Sequence, residues 1–329
     1  MRTLFPLGAV IALVLIAFVG VMANLQVLFG VFIPYAAVLV FVLGFIYRVV
    51  QWGRSPVPFC ITTTCGQQSS LPWISQSKLE NPSSTMQVIA RMFLEIFFFR
   101  SLFRNLKPQF SEGPKLSYGS EKFLWLAGLT FHWSFLIILI RHFRFFSQEV
   151  PSVIAMMEGV DSFFQVGAPL MYLTDVTILA GLAWLIFRRF ALPQVRYISL
   201  AADYFPLFLI VAIAVSGILM RYFFKVHIVG VKQLAMGLVT FQPTIPQGIG
   251  SIFYVHLFLI CVLFAYFPFS KLMHMGGVFL SPTRNMRGDS RRFRHLNPWN
   301  YPVELHTYSE YEDEFREKMK KAGVPVEKE

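Results

Sequence analysis

The sequence predicts an all-α integral membrane protein: a six-transmembrane-helix bundle with a soluble C-terminal tail. Three observations predict it. Of the 329 residues 55% are hydrophobic and 14% charged, whereas soluble domains carry about 25% charged residues. The apolar residues fall into blocks close to the ~20 residues that cross a bilayer. Lys and Arg gather between those blocks, as the positive-inside rule demands of cytoplasmic connections. The net charge of +11 therefore belongs to membrane topology, and a basic surface without any other nucleic-acid signature excludes DNA or RNA as partner.

The predicted spans are Leu4–Met22, Val27–Tyr47, Phe123–Ile140, Val166–Phe187, Leu200–Met220 and Ile252–Phe269. The first could be a signal peptide, with Val21-Met22-Ala23 as cleavage site. Its apolar core exceeds the usual run of about 7–15 residues, so it reads as a retained span. Arg48, Arg54, Lys78, Arg91, Arg100, Arg104, Lys107, Lys115 and Lys122 fill the second connection, Arg188, Arg189 and Arg196 follow span four, and Lys271 follows span six. Six spans with these segments inside place both termini in the cytoplasm. The expected organisation is residues 1–50 as two N-terminal spans, 51–121 as a cytoplasmic loop, 122–275 as a four-span core and 276–329 as a cytoplasmic tail.

Within the loop, ARMFLEIFFFRSLFRN (Ala90–Asn105) mixes Arg91, Glu95, Arg100 and Arg104 with large apolar residues, the pattern of a helix lying in the membrane interface. In the tail, SEYEDEFREKMKKAG (Ser309–Gly323) has a Ser-x-x-Glu capping box, early acids, late bases and a closing glycine, which predicts a short helix. Cys261 lies in a span and packs as a small hydrophobe. Cys60 and Cys65 are two thiols in a loop without histidine, too few for a zinc tetrahedron or an iron–sulfur cluster, and read as reduced thiols at a partner interface. No Cys-x-x-Cys-His occurs, which excludes covalent c-type haem.

Chemistry concentrates in histidines. FHWSFLIILIRHF in span three carries His132 and His142, and span six with its exit carries His256 and His274. An imidazole buried without partners costs about 1–3 kcal/mol, so four of them in apolar runs need a purpose. On continuous helices the pairs lie about 15 Å and about 27 Å apart along their axes. Spans three and six run antiparallel, so His132 meets His274 and His142 meets His256. Two such pairs at two depths suit two bis-histidine haems b, with centres roughly 20 Å apart. Gly128, one turn before His132, would let a macrocycle approach. The competing readings are histidines satisfied by backbone or water, and a histidine-relay proton channel or transporter without haem. Zinc is disfavoured, because no Cys or carboxylate accompanies either pair and no His-Glu-x-x-His occurs.

With this spacing, the region from Lys122 to Met275 resembles the dihaem cytochrome b subunits of respiratory nitrate reductase, the NarI-like family. The resemblance implies a cytoplasm-proximal haem on His132 and His274 and a distal one on His142 and His256. CITTTCGQQSSLPWI (Cys60–Ile74) and ARMFLEIFFFRSLFRN resemble, more narrowly, the DsrM subunits of membrane complexes associated with dissimilatory sulfite reduction. That likeness implies the cytoplasmic membrane of a prokaryote, menaquinone or menaquinol as substrate and a DsrK-like cytoplasmic iron–sulfur partner. DsrJ, DsrO and DsrP would complete the complex.

Near the outer ends of the spans, Arg141 and Arg221 are candidate partners of haem propionates, and Lys225 and His227 are candidates for the quinone site. Asp175 and Asp203 suit either helix packing or proton transfer. The expected function is a membrane cytochrome b exchanging electrons between menaquinol and an iron–sulfur subunit. The rivals are the proton channel and a passive anchor for a soluble enzyme.

Overall fold

The computed structural model describes residues 3–55, 67–111, 115–165, 167, 169–281, 284–293 and 305–328. Cys60 and Cys65 lie outside the described residues. The chain is predominantly helical. Helix α1 (Leu4–Met22) turns through Asn24, whose left-handed φ of 61° reverses the chain, into a π turn (Leu28–Phe32) that continues as α2 (Ile33–Gly53). The long connection forms α3 (Thr85–Phe98), the short α4 (Arg100–Phe103) and an antiparallel hairpin of β1 (Leu106–Ser111) and β2 (Lys115–Ser120), paired from Leu106↔Ser120 to Ser111↔Lys115. Helices α5 (Lys122–His142), α6 (Ser152–Phe163), α7 (Leu173–Ala191), α8 (Pro193–Ile198), α9 (Ala201–Ile218), α10 (Ile228–Val239), α11 (Ser251–Tyr266), α12 (His274–Gly277) and α13 (Tyr308–Lys321) follow.

Among the described residues, five helical stretches are long and apolar enough to cross a membrane: Leu4–Met22, Leu28–Gly53, Lys122–Phe145, Ala201–Phe223 and Ser251–Phe269. The expected count of six is not reached on that criterion, because the helix in the place of the fourth expected span, α7, carries three charged residues. The fourth expected span begins at Leu173 rather than at Val166, ends at Ala191, and contains Asp175, Arg188 and Arg189. Those charges sit in its first and last turns, where the helix dipole favours each sign. Arg188 is further tied to Glu121 at 3.0 Å.

The bundle packs closely where side chains are small, as helices in lipid do. A Cβ on Gly181 of α7 would stand 3.1 Å from Phe131 of α5, and Ser134 shares a 2.7 Å hydrogen bond with Thr177 between the same helices. Ala17, Leu182, Leu209, Leu234 and Leu259 form a fully buried centre that joins α1, α7, α9, α10 and α11. Outward-facing residues such as Leu4, Phe5, Leu39 and Leu43 are exposed, as lipid-facing positions of a multi-pass membrane protein must be.

The interfacial helix expected over Ala90–Asn105 starts earlier and is broken. Ser84 caps α3 by accepting from Gln87 N–H, and Phe99 ends it in the left-handed region at φ 50°. Its polar residues point inward: Arg91 is buried and donates to the Glu80 carbonyl at 2.8 Å, while Met86, Ile89 and Phe93 are exposed. The hairpin was not expected, because LKPQFS contains a proline and alternates weakly. In the tail, the cap falls on Thr307 with Glu310, not on the Ser309–Glu312 box. Glu312 is instead buried and accepts from the backbone N–H groups of Glu327 and Lys328 at 2.7 and 2.8 Å.

Candidate bis-histidine cofactor site

The four histidines meet in two pairs. The ring centroids of His132 and His274 are 6.0 Å apart, with planes at 81°. Those of His142 and His256 are 6.4 Å apart, with planes at 19°. Helix α5 presents both of its histidines on one continuous helix. The other element does not: α11 stops at Tyr266, one-turn 3₁₀ segments follow at Phe267–Phe269 and Lys271–Met273, and His274 opens α12. The expectation that His256 and His274 share one face of an unbroken helix, about 27 Å apart, is therefore corrected. Pro268 lacks the N–H that would continue the ladder, and Ser270 is extended at φ −120° and ψ 176°.

Each ring is oriented by its Nδ1. His132 Nδ1 faces the Gly128 carbonyl at 2.7 Å, His142 Nδ1 the Ile138 carbonyl at 2.7 Å, and His274 Nδ1 the Lys271 carbonyl at 2.8 Å. A carbonyl only accepts, so Nδ1 carries the proton in these three rings. His256 Nδ1 lies 2.9 Å from Ser216 Oγ. The Ser216 hydroxyl donates to the Ile213 carbonyl at 3.0 Å, which leaves its oxygen to accept from His256. All four rings thus keep a bare Nε2 lone pair, the tautomer of a metal-ligating histidine whose second nitrogen is anchored. This assignment follows from the hydrogen-bond network. None of the four Nε2 atoms has a hydrogen-bond partner among the described residues.

The separations fit a metal between the rings. With a metal–imidazole bond of about 2.0 Å and about 1.1 Å from nitrogen to ring centroid, two ligands on one ion stand about 6 Å apart. A direct ring-to-ring hydrogen bond of about 2.9 Å would bring the centroids to roughly 5 Å. Two imidazoles with bare Nε2 lone pairs, held at the observed separation, are suited to share an electropositive centre between them. The donor set, two neutral imidazoles, is that of a low-spin haem iron.

The surroundings of the pairs differ. His132 and His274 are exposed, and the Phe99 and Phe131 rings meet His132 edge-on at 5.0 and 4.9 Å. Phe99 is held there by the tryptophans of α5: Trp125 Nε1 donates to the Phe98 carbonyl at 2.7 Å and Trp133 Nε1 to the Phe97 carbonyl at 3.1 Å. His256 is buried and His142 half-buried. Next to His142, the buried Arg141 ion-pairs with Asp161, donates to Thr174 Oγ1 at 3.1 Å and lies 3.8 Å from Asp175. Its guanidinium lies 4.0 Å from the Tyr172 ring centroid and that of Arg221 lies 4.2 Å from it. Tyr172 donates its hydroxyl to Glu158, which Arg144 also grips at 2.6 Å. Tyr222 donates to Asp175 at 2.7 Å.

The other sequence candidates are placed as follows. Arg141 is occupied by this network rather than turned toward a ligand, whereas Arg221 is half-exposed and reaches Glu158 only at 3.8 Å. Lys225 is exposed with φ 43°, and His227 caps α10, its Nδ1 accepting from Gly230 N–H at 3.3 Å. Asp203 caps α9 and holds Lys271 at 2.6 Å, a packing role. Sequence reasoning missed Ser216, Phe99, Tyr172 and Tyr222. A signal for Ser216 existed: it and Gly217 are the only serine and glycine of the fifth span, and a Cβ on Gly217 would touch His256 at 3.3 Å.

Residues 87–287 match the family described as nitrate reductase gamma subunit. An "Hdr-like menaquinol oxidoreductase cytochrome b-like subunit" of Archaeoglobus fulgidus is 46% identical over 83% of this chain and 84% of its own. A relative of the same description from Archaeoglobus profundus is 42% identical over 83% of each chain. The respiratory nitrate reductase 1 gamma chain of Escherichia coli is 29% identical, covering 56% of this chain and 92% of its own. All four paired histidines lie inside the matched interval.

Proposed function

This chain belongs to the nitrate reductase gamma-subunit family, and we propose that it is the membrane cytochrome b of an Hdr-like menaquinol oxidoreductase complex. The observation that carries the reading is the pairing of imidazoles, repeated twice at 6.0 and 6.4 Å between ring centroids, with every Nδ1 engaged and no Nε2 partner among the described residues. In this reading His132 with His274, and His142 with His256, each hold one haem b. Bound there, the two haems would relay single electrons along the bundle. Arg221 is the proposed propionate partner, and Arg141 instead fixes the α5–α6–α7 corner behind His142.

Oxidation of a menaquinol releases two electrons and two protons. His227 accepts through Nδ1, so a neutral ring keeps its proton on Nε2 and can donate to a quinone carbonyl; Lys225 would assist. The positive-inside asymmetry supports cytoplasmic termini, with the first pair nearer the cytoplasm. We further assign the chain to the DsrM type, acting in dissimilatory sulfur metabolism with a DsrK-like iron–sulfur subunit and with DsrJ, DsrO and DsrP. The likenesses of the loop sequence support that narrower assignment. Relay of protons through the pairs is disfavoured, because rings this far apart do not hydrogen-bond directly to each other.

The test is haem content of the purified, folded chain by its reduced b-type spectrum. Two haems per chain are expected, and His256→Ala should retain only the one on His132 and His274. A folded wild-type protein without visible absorbance defeats the proposal.

A further inference from the structure

Helices α1 and α2 precede the matched interval of 87–287, yet α2 touches the segment that carries His274 at three points. Gly44 packs so closely on the turn after α11 that a Cβ there would stand 2.8 Å from Pro268 Cβ and 3.0 Å from the Phe269 ring. A proline ring cannot swing aside as a flexible chain end would. Phe45 covers Gly276, its ring 3.4 Å from where a Cβ would sit, and Trp52 covers Gly277 at 3.5 Å. These glycines lie two and three residues beyond His274 in α12. From the other side, Lys271 is anchored to Asp203 of α9, and its carbonyl receives His274 Nδ1.

The break in span six is thus clamped between α9 and α2. Without the clamp, nothing in a run of 3₁₀ turns dictates where His274 points, since such short segments are weakly held by their own hydrogen bonds. We propose that α2 is a positioning element for the first histidine pair. Gly44 is the notch that admits Pro268, and Phe45 and Trp52 hold α12 so that His274 faces His132. The proposal rests on the bis-histidine reading.

The test uses the full chain in detergent, oxidised, with haem content and low-temperature electron paramagnetic resonance as readouts. Near-perpendicular ligand planes leave two iron d orbitals nearly equal in energy and give one broad low-field line. Near-parallel planes split them and give a three-line spectrum. The planes at 81° and at 19° make the two sites separately visible. Gly44→Val should abolish or strongly shift the broad line and leave the three-line signal. Trp52→Leu should act in the same sense more weakly. Gly30→Val is the control: its Cβ would press on Ile245 and Tyr254 near 3 Å, away from α12, and should spare the broad line.

A wild-type protein without either signal overturns the bis-histidine reading itself. A wild type with both signals, and Gly44→Val and Trp52→Leu variants with both unchanged, overturns the positioning role alone. If Gly44→Val does not fold, Trp52→Leu decides: selective change of the broad line supports the proposal, and equal change of both signals overturns it.

Discussion

The two histidine pairs are held by different physics. The first pair stands at an exposed flank, framed by the Phe99 and Phe131 rings and by a clamped break in span six. The second lies deeper, tied to Ser216 and backed by Arg141, Asp161, Asp175, Tyr172, Tyr222 and Glu158. An aromatic frame positions a ring by shape, and it tolerates changes of charge. A polar network in a low-dielectric interior positions by directed bonds, and it fails when one member is left unpaired.

Three substitutions sharpen or break that contrast, from the largest effect down. Asp161→Asn leaves Arg141 buried beside only the more distant Asp175. Losing one partner of a buried ion pair costs about 3–5 kcal/mol, and the second site should lose its haem before the first on thermal melting. Equal loss from both sites, or an unchanged melting temperature, would show that the network is not specific to the second pair.

Ser216→Ala removes the single side-chain acceptor among the four Nδ1 partners. It leaves the ring without its side-chain anchor, and retention of the second haem should fall by roughly 10–100-fold. No comparable side-chain deletion exists at the first pair, where Gly128 and Lys271 supply backbone carbonyls. Haem titration at both sites reads this difference; a parallel loss at the first pair contradicts it.

The smallest effect belongs to the tail, which should answer to neither pair. The Glu327 N–H, followed by the Lys328 N–H and Arg316, holds the Glu312 carboxyl below its ordinary value. Its contribution to stability is present above the unfolded carboxylate pKa and disappears as pH falls through the lower folded value. Protection of the Glu327 and Lys328 amides, measured against their intrinsic exchange rates, should therefore fall on acidification below the usual carboxylate range. Glu312→Gln should abolish that pH dependence and leave haem content unchanged. Protection that stays constant through that pH range in the wild type would refute this account.

Much of this was legible in the sequence. Hydropathy blocks located five spanning helices to within a few residues, because every spanning backbone must satisfy its own hydrogen bonds and only a long apolar helix does so. The partner of each histidine was also legible, since antiparallel spans match opposite ends. The start of α7 was misjudged because the apolar tract before Leu173 looks like helix to a hydropathy count. The interfacial helix was drawn through Phe99, since nothing local marks a left-handed phenylalanine. That conformation is imposed by two tryptophan indoles donating to the carbonyls beside it.

By itself the sequence determined the class of protein, the four histidines and which of them face each other. These depend on composition and on helical rise, both local quantities. Only the tertiary structure decided that span six breaks, that Arg141 is committed to Asp161, and that Ser216 completes the set of Nδ1 partners. Each of those depends on what another helix brings within a few ångströms: the Gly44 notch for Pro268, the α6 carboxylate for Arg141, and α9 for His256.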